Sequence, residues 1–278
     1  VDPIAQEYPE LSSYQFASNT PIQATDLDGL EKKLAFSGSG GQGTDYALHP
    51  TDIDIFAKRS ERLRSAGFTP KTVSDGKMIV EALKEATKTD GSISAVISNT
   101  HSGAAGLYLN KDAGFYVGPP KEPQFGGADV DDVLAAAKSG TIIFQPNAVW
   151  IFAGCNAGNE NDPMNKYGSV NIAELTALKL GITTIGAVGF VDEEKINGKA
   201  TGSGRLVAEN ESTSVTFKHV GFIKFTPIKT TRVTYEGGLK FFNWTLIEPI
   251  KKVRTVITGV KKEYLGTSIN PLDYVPKK

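Results

Sequence analysis

From residue 31 to about 190 short apolar runs alternate with segments of helical period. KKLAF at 32–36 predicts a strand that runs into the glycine-rich SGSGGQG. A helix is expected from Thr51, which can cap it, with Asp54 three positions on. Ile53, Phe56, Ala57 and Leu63 share one face of it, and Gly67 stops it. A brief strand at 70–73 and a helix at 76–88, with Ile79, Leu83 and Ala86 inward, come next. AVISNTH at 95–101 predicts a strand ending in His101, and LYLNKDAGFYVG at 107–118 a hairpin turning at 111–114. After a proline-rich loop, a helix over 129–138 precedes the strand AVWIFAGC at 148–155, which ends in Cys155. A helix at 171–180 stops at Gly181, and ITTIGAVGF at 182–190 is a continuous apolar strand.

Strands apolar on both faces and alternating with helices predict an α/β domain with a mostly parallel sheet covered on both sides. Past residue 205 the pattern becomes β-rich: SVTFKHVGFIKFTP, TTRVTYEGG and LKFFNWTLI read as three strands that either extend the sheet or fold over it. The first thirty residues, rich in Pro, Asn, Ser and Asp, have no helical period and read as turns and short extended pieces. The organisation expected is therefore 1–30 as an irregular arm, 31–205 as the α/β domain, and 206–278 as a β-rich extension.

Composition narrows the class. An apolar content of 40% supports a real core, and 22% charged residues is ordinary. No apolar run reaches the roughly 18 residues of a membrane span, so no transmembrane segment is expected. The opening VDPIAQEYPE carries no signal-peptide pattern, which a piece of a longer protein would equally lack. The single cysteine excludes an internal disulfide framework and a multi-cysteine zinc site. No metal and no cofactor are expected. Net charge is −1, but unevenly spread: residues 1–210 carry 18 Lys and Arg against 26 Asp and Glu, and residues 211–278 carry 12 against 5. The basic tail reads as a solvated surface or as a site for a polyanion or an acidic partner.

The chemistry concentrates on His101 and Cys155. Each follows an apolar run and is followed by small residues, SGAAG and NAG, which let the backbone turn and present a reactive side chain. In a parallel sheet, functional groups gather at the carboxyl ends of the strands. A thiol and an imidazole brought together there form the nucleophile–base pair of cysteine catalysis. GSGGQG at 38–43 satisfies a dinucleotide-binding spacing, but TDYALHP follows where that fold needs a helix, so nucleotide binding is not expected. His49 and His219 lack a supporting motif, and Asp45, Asp52, Asp129 and Asp131 are the candidates to orient His101.

Two resemblances add to this reading. The N-terminal elements Asp2-Pro3, YPELSSYQFASNTP at 8–21 and DLDGL at 26–30 resemble the end of the core domain of Rhs-repeat proteins, the large polymorphic toxins. In that family the segment closes the repeat shell and a variable effector follows; Leu27 stands where the family often has proline. Residues 31–190 resemble the caspase-like (clan CD) cysteine peptidases. The shared features are a strand ending in His, a hairpin and helix, a strand ending in Gly-Cys, and an Ala-x-x-Leu helix leading to a Gly-Ile-Thr-x-Ile-Gly strand. GCN at 154–156 is most similar to the self-processing domains of bacterial toxins.

The resemblance implies a caspase-like α/β/α sandwich acting as an endopeptidase through a thioester acyl-enzyme. Cys155 is then the nucleophile and His101 the general base and acid. The oxyanion is held by backbone groups of the Ser102, Gly103 and Gly154 segments, with Ser102 at the family's glycine. Ala153 replaces the Gln or Asp found in relatives that cut after charged residues, which leaves an apolar cleavage preference open. Toxin self-processing relatives cut after leucine, and Leu30 precedes the domain, although in the Rhs family the shell itself usually makes that cut. The implied context is a secreted or delivered toxin effector with a protein substrate in a target cell, the Rhs shell of the same precursor, an immunity protein as possible partner, and no nucleic acid. Two other readings stay open: a Cys-His deamidase or other acyl-transfer toxin, and a catalytically inactive caspase-like binding module.

Overall fold

The computed structural model describes residues 31–39, 50–110, 113–117, 128–160, 171–210, 219–236, 239–241, 244–247 and 250–277. The Rhs-like arm, His49, Asp45 and most of the glycine-rich segment lie outside the described residues.

A seven-stranded sheet organises the chain. Its parallel part is built from β1 (Glu31–Gly38), β2 (Phe68–Val73), β3 (Ser92–Asn99), β7 (Phe144–Phe152) and β8 (Thr183–Val188), in the order β8-β7-β3-β1-β2. Two long strands continue it in antiparallel sense: β13 (Gly221–Glu236) pairs with β8 over Gly221–Phe225, and β16 (Ile250–Gly266) pairs with β13 at the edge. The fold is thus mixed α/β with a mostly parallel core, and the basic C-terminal region extends the sheet.

Period-two alternation decides what each strand buries. Leu34, Phe36, Val96, Trp150 and Phe152 point to one face, while Ala35, Ala95, Ile97, Val149, Ile151 and Ala153 point to the other. The first face is covered by α2 (Gly76–Asp90), α3 (Val130–Lys138) and α4 (Ile172–Leu180). Each starts on a side-chain cap, from Asp75, Asp129 and Asn171 respectively. The hairpin of β5 (Gly106–Asn110) and β6 (Ala113–Tyr116) adds Leu107, Leu109 and Phe115 to the same core.

The second face is closed differently from the expected layer of helices. One helix, α1 (Pro50–Arg62), lies there with a 3-10 turn at Leu63–Ala66 and a small antiparallel sheet. That sheet consists of β9 (Phe190–Glu193), β12 (Leu206–Glu209) and β17 (Ser268–Ile269), and Leu206, Ala208 and Ile269 complete its core. The helix begins at Pro50 and not at a Thr51 cap, since proline is pre-set for a first helical turn. Gly67 ends the segment in the left-handed conformation, as its position suggested.

Other boundaries also move. The strand before His101 stops at Asn99, and His101 opens a separate short strand, β4 (His101–Gly103), paired with β5. The segments GFIKFTP and TTRVTYE form one strand, β13, not two. LKFFNWTLI contains the short pair β14 (Leu239–Phe241) and β15 (Trp244–Ile247). The remaining short pair is β10 (Lys195–Ile196) with β11 (Lys199–Ala200).

Candidate active site

Two neighbouring parallel strands carry the site. β3 and β7 pair as Val96–Trp150, Ile97–Ile151 and Ser98–Phe152, and the Ala153 N–H donates to the Ser98 carbonyl at 2.9 Å. Beneath this join the Trp150 indole N–H donates to Ser98 Oγ at 2.9 Å, and the Trp150 and Phe152 rings stack at 5.4 Å. A one-residue slip would break that bond and send the stacked rings to the wrong face. The pairing ends there, and His101 and Cys155 each lie three positions further on, in the segments that follow the two strands.

Contacts past the strand ends agree with that placement. A Cβ at Gly154 would stand 2.3 Å from Ser102 Oγ and 2.4 Å from the Thr100 carbonyl, so only glycine lets the two loops approach this closely. The Ser102 hydroxyl donates to the Cys155 carbonyl at 2.7 Å. Gly154 and Ser102 therefore act on one another: they lock the cysteine loop against the histidine loop. Gly103 has a milder role, leaving room for the Tyr108 hydroxyl at 2.7 Å from where its Cβ would sit.

Both reactive side chains are half-buried. The Phe56 ring of α1 meets the His101 imidazole edge to face, with centroids 5.0 Å apart and planes at 88°. That helix is fixed by Ser60, whose hydroxyl donates to the Phe36 carbonyl at 3.2 Å and accepts from Asn99 Nδ2 at 3.1 Å. On the other side, the Val191 N–H of β9 donates to Cys155 Sγ at 3.3 Å. Such a contact strengthens when sulfur carries charge.

Val191, which no motif singled out, contacts the cysteine loop, and Asn156, which the GCN motif contains without a role assigned to it, holds that loop to Gly189. Asn156 takes a positive φ of 54°, and its backbone N–H and side-chain Oδ1 clamp the carbonyl and N–H of Gly189 at 3.0 and 2.9 Å. Asparagine is among the few residues that enter this left-handed region readily, and its position directly after Cys155 was the available signal. Gly158 continues the clamp, donating to the Ala187 carbonyl at 2.8 Å. The cysteine loop is thus held to β8 behind it and to β9 beside it.

Of the residues proposed to orient His101, Asp129 caps α3 and accepts from the N–H groups of Asp131 and Asp132, and Asp131 pairs with Lys179. Burial raises the Asp129 carboxyl above its ordinary value, against the pull of those N–H donors. These bonds of the two aspartates run within α3 and to Lys179 of α4. Asp45 and the side chain of Asp52 lie outside the described residues, and His219 is exposed on the C-terminal side.

A cavity of about 220 Å³ opens between α1 and the small sheet, and neither His101 nor Cys155 is among its lining residues. Its lining includes Arg59, one turn beyond Phe56; Asn99, two positions before His101; and Glu193, two positions after Val191. Glu193, 5% exposed, receives both terminal nitrogens of Arg62 at 2.7 Å. Arg59, 8% exposed, bonds Asp192 at 2.7 Å, while its Nε finds no hydrogen-bond partner among the described residues. Burial pushes the Asp192 carboxyl upward, but the Lys195 ammonium, the Glu193 N–H and the Arg59 charge outweigh it and hold the group below its ordinary value. Among the described residues no group of His, Cys, Asp and Glu forms a metal-binding cluster, and no helix is long and apolar enough to cross a membrane. No family model matches the chain, and no curated protein matches it.

Proposed function

We propose that the chain is a cysteine endopeptidase with a caspase-like domain, using Cys155 as nucleophile and His101 as general base and acid. One observation supports this reading: the loops that follow β3 and β7, which carry His101 and Cys155, are interlocked through Gly154, Ser102 and the Cys155 carbonyl. In the reaction, His101 takes the thiol proton and the Cys155 thiolate attacks the scissile carbonyl carbon. The tetrahedral oxyanion forms beside backbone N–H groups of the two loops. Collapse expels the amine, protonated by His101, and leaves a thioester that water hydrolyses with His101 as base. Donors to the oxyanion typically contribute about 3–4 kcal/mol to such a barrier.

The cavity on the α1 side would receive a substrate side chain. Its charged lining of Arg59, Arg62 and Glu193 favours a polar occupant over the apolar one that Ala153 alone suggests. The Rhs-like residues 1–30 support a delivered effector acting on a protein of a target cell, with an immunity protein as counterpart.

Incubation of a cell proteome with the wild-type chain and with Cys155→Ala tests the activity by the new N-termini produced. Cys155-dependent N-termini sharing a polar residue on the acyl side of the cut are expected. Removing a general base costs roughly 10²–10⁴-fold in turnover, so His101→Ala should lose activity on that scale. Deamidated glutamines without new N-termini would establish the acyl-transfer alternative. A thiol that iodoacetamide reaches only after denaturation would defeat both.

A further inference from the structure

Beyond Phe225, β13 leaves β8 and continues with β16 as a two-stranded ribbon. A register shift between Ile228 and Lys229 marks the departure. Past it, residues 228–233 and most of 251–258 are exposed on both faces of the ribbon. The pairing assigns the side chains to two unlike faces. One carries Val233 opposite Val253, exposed by 43% and 59%, flanked by Thr231 opposite Thr255. The other carries Arg232 directly opposite Arg254, with the Thr234–Lys252 and Thr230–Val256 pairs on either side. Like charges directly opposite each other destabilise a two-stranded pair. Neither arginine has a carboxylate partner among the described residues.

The outer edge of the ribbon is equally incomplete. β16 ends the large sheet, and among the described residues its outer backbone N–H and C=O groups meet no further strand. That edge carries Lys251 and Arg254, and the first acidic residue along β16 is Glu263.

We propose that the β16 edge is a docking site for an extended acidic segment of a partner protein, added as a further strand. Main-chain bonds to the edge supply affinity, and alternate side chains supply selection. Residues of the segment on the arginine face must be acidic, to lie beside Arg254 and within reach of Arg232. Residues on the opposite face lie beside Val253 and Thr255 and are β-branched. The matching segment is thus a strand of alternating Asp or Glu with Val, Ile or Thr. A second copy of this chain fits poorly, because two β16 edges paired together set their lysines and arginines against each other. A nucleic acid would satisfy the arginines but would leave the Val233–Val253 pair and the strand edge without complement.

Fluorescence anisotropy of the full chain with a labelled peptide of alternating Glu and Val tests this. Saturable binding is expected, with hydrogen-exchange protection gained at 251–257 and not at 229–233. The double substitution Arg232→Glu, Arg254→Glu should raise Kd at least about tenfold while iodoacetamide labelling of Cys155 is unchanged. Arg254→Gln serves if the double variant melts early. The same peptide N-methylated at alternate residues, so that the amides facing the edge are blocked, should not bind. Absence of binding up to about 1 mM overturns the proposal. So does equal binding of the N-methylated peptide, which would mean charge alone, and so does an oligonucleotide duplex that binds more tightly and displaces the peptide.

Discussion

At Gly154 a single hydrogen atom decides whether the two loops of the site can meet. An alanine methyl there would press on Ser102 Oγ and on the Thr100 carbonyl, and the second of these is backbone that cannot swing away. Gly154→Ala should therefore cost about 1–3 kcal/mol in thermal unfolding, as overpacking does, and should abolish Cys155-dependent cleavage. Gly103→Ala meets only the far end of the Tyr108 side chain and should be nearly silent in both measurements. If the two alanines behave alike, the interlock is not what positions the cysteine. Asn156 offers a second test on the other side of the thiol. Asn156→Ala loses the acceptor for the buried Gly189 N–H and strains a positive φ, and should cost about 1–3 kcal/mol. Asn156→Gly relieves the strain but still lacks the acceptor, so it should recover part of the melting temperature and not all of it.

Among the elements, α1 is held to the site by charge as well as by packing. Arg59 and Arg62 reach across to Asp192 and Glu193 of β9, the strand whose Val191 N–H meets the sulfur. Because Asp192 titrates below its ordinary value in the folded chain, its contribution to stability is present above about pH 4 and is lost as pH falls through the folded value. Asp192→Asn should lower the melting temperature at pH 7, and the gap to wild type should close below about pH 4. The carboxylate is more than a third exposed, so the effect at pH 7 should stay within about 1 kcal/mol. The sequence could not announce this cross-link, since 133 residues separate Arg59 from Asp192.

What it could announce followed local rules. The helices were legible because apolar residues recur on one face and Gly67 and Gly181 mark ends, whereas the Asp129 cap went unread. His101 and Cys155 were legible because both follow apolar runs and precede small residues. β16 went unread as a strand: KKVRTVITGVKKEYLG has no buried face along its first half, so its alternation marks no core. β13 was read as two strands because its segment past Phe225 alternates against solvent on both sides. The small sheet over the second face was missed as well, because β9, β12 and β17 have 2–4 residues each and gain meaning only when assembled.

Over the whole molecule the sheet divides into a part that must persist and a part that the core does not hold. β3 is buried at every position and is flanked by β1 and β7, so its amides are lost to solvent only on global unfolding. Beyond the register shift, β13 and β16 pair only with each other among the described residues, with 229–233 and 253–256 exposed, and a two-stranded ribbon alone is at best marginally stable in water. Hydrogen exchange followed by mass spectrometry should therefore show the amides of 229–236 and 251–257 exchanging orders of magnitude faster than those of 93–98. The base of the same strands, 222–225 with its β8 partners, should follow the core. The substitution Phe225→Ala separates the two: this fully buried side chain belongs to the core over β8, and its loss should speed exchange throughout the sheet. Val253→Ala, on the exposed ribbon, should speed exchange only locally. Protection of the ribbon equal to that of β3 in the isolated chain would mean that something already covers it, and exchange measured across a dilution series would then distinguish a second copy from a stable fold.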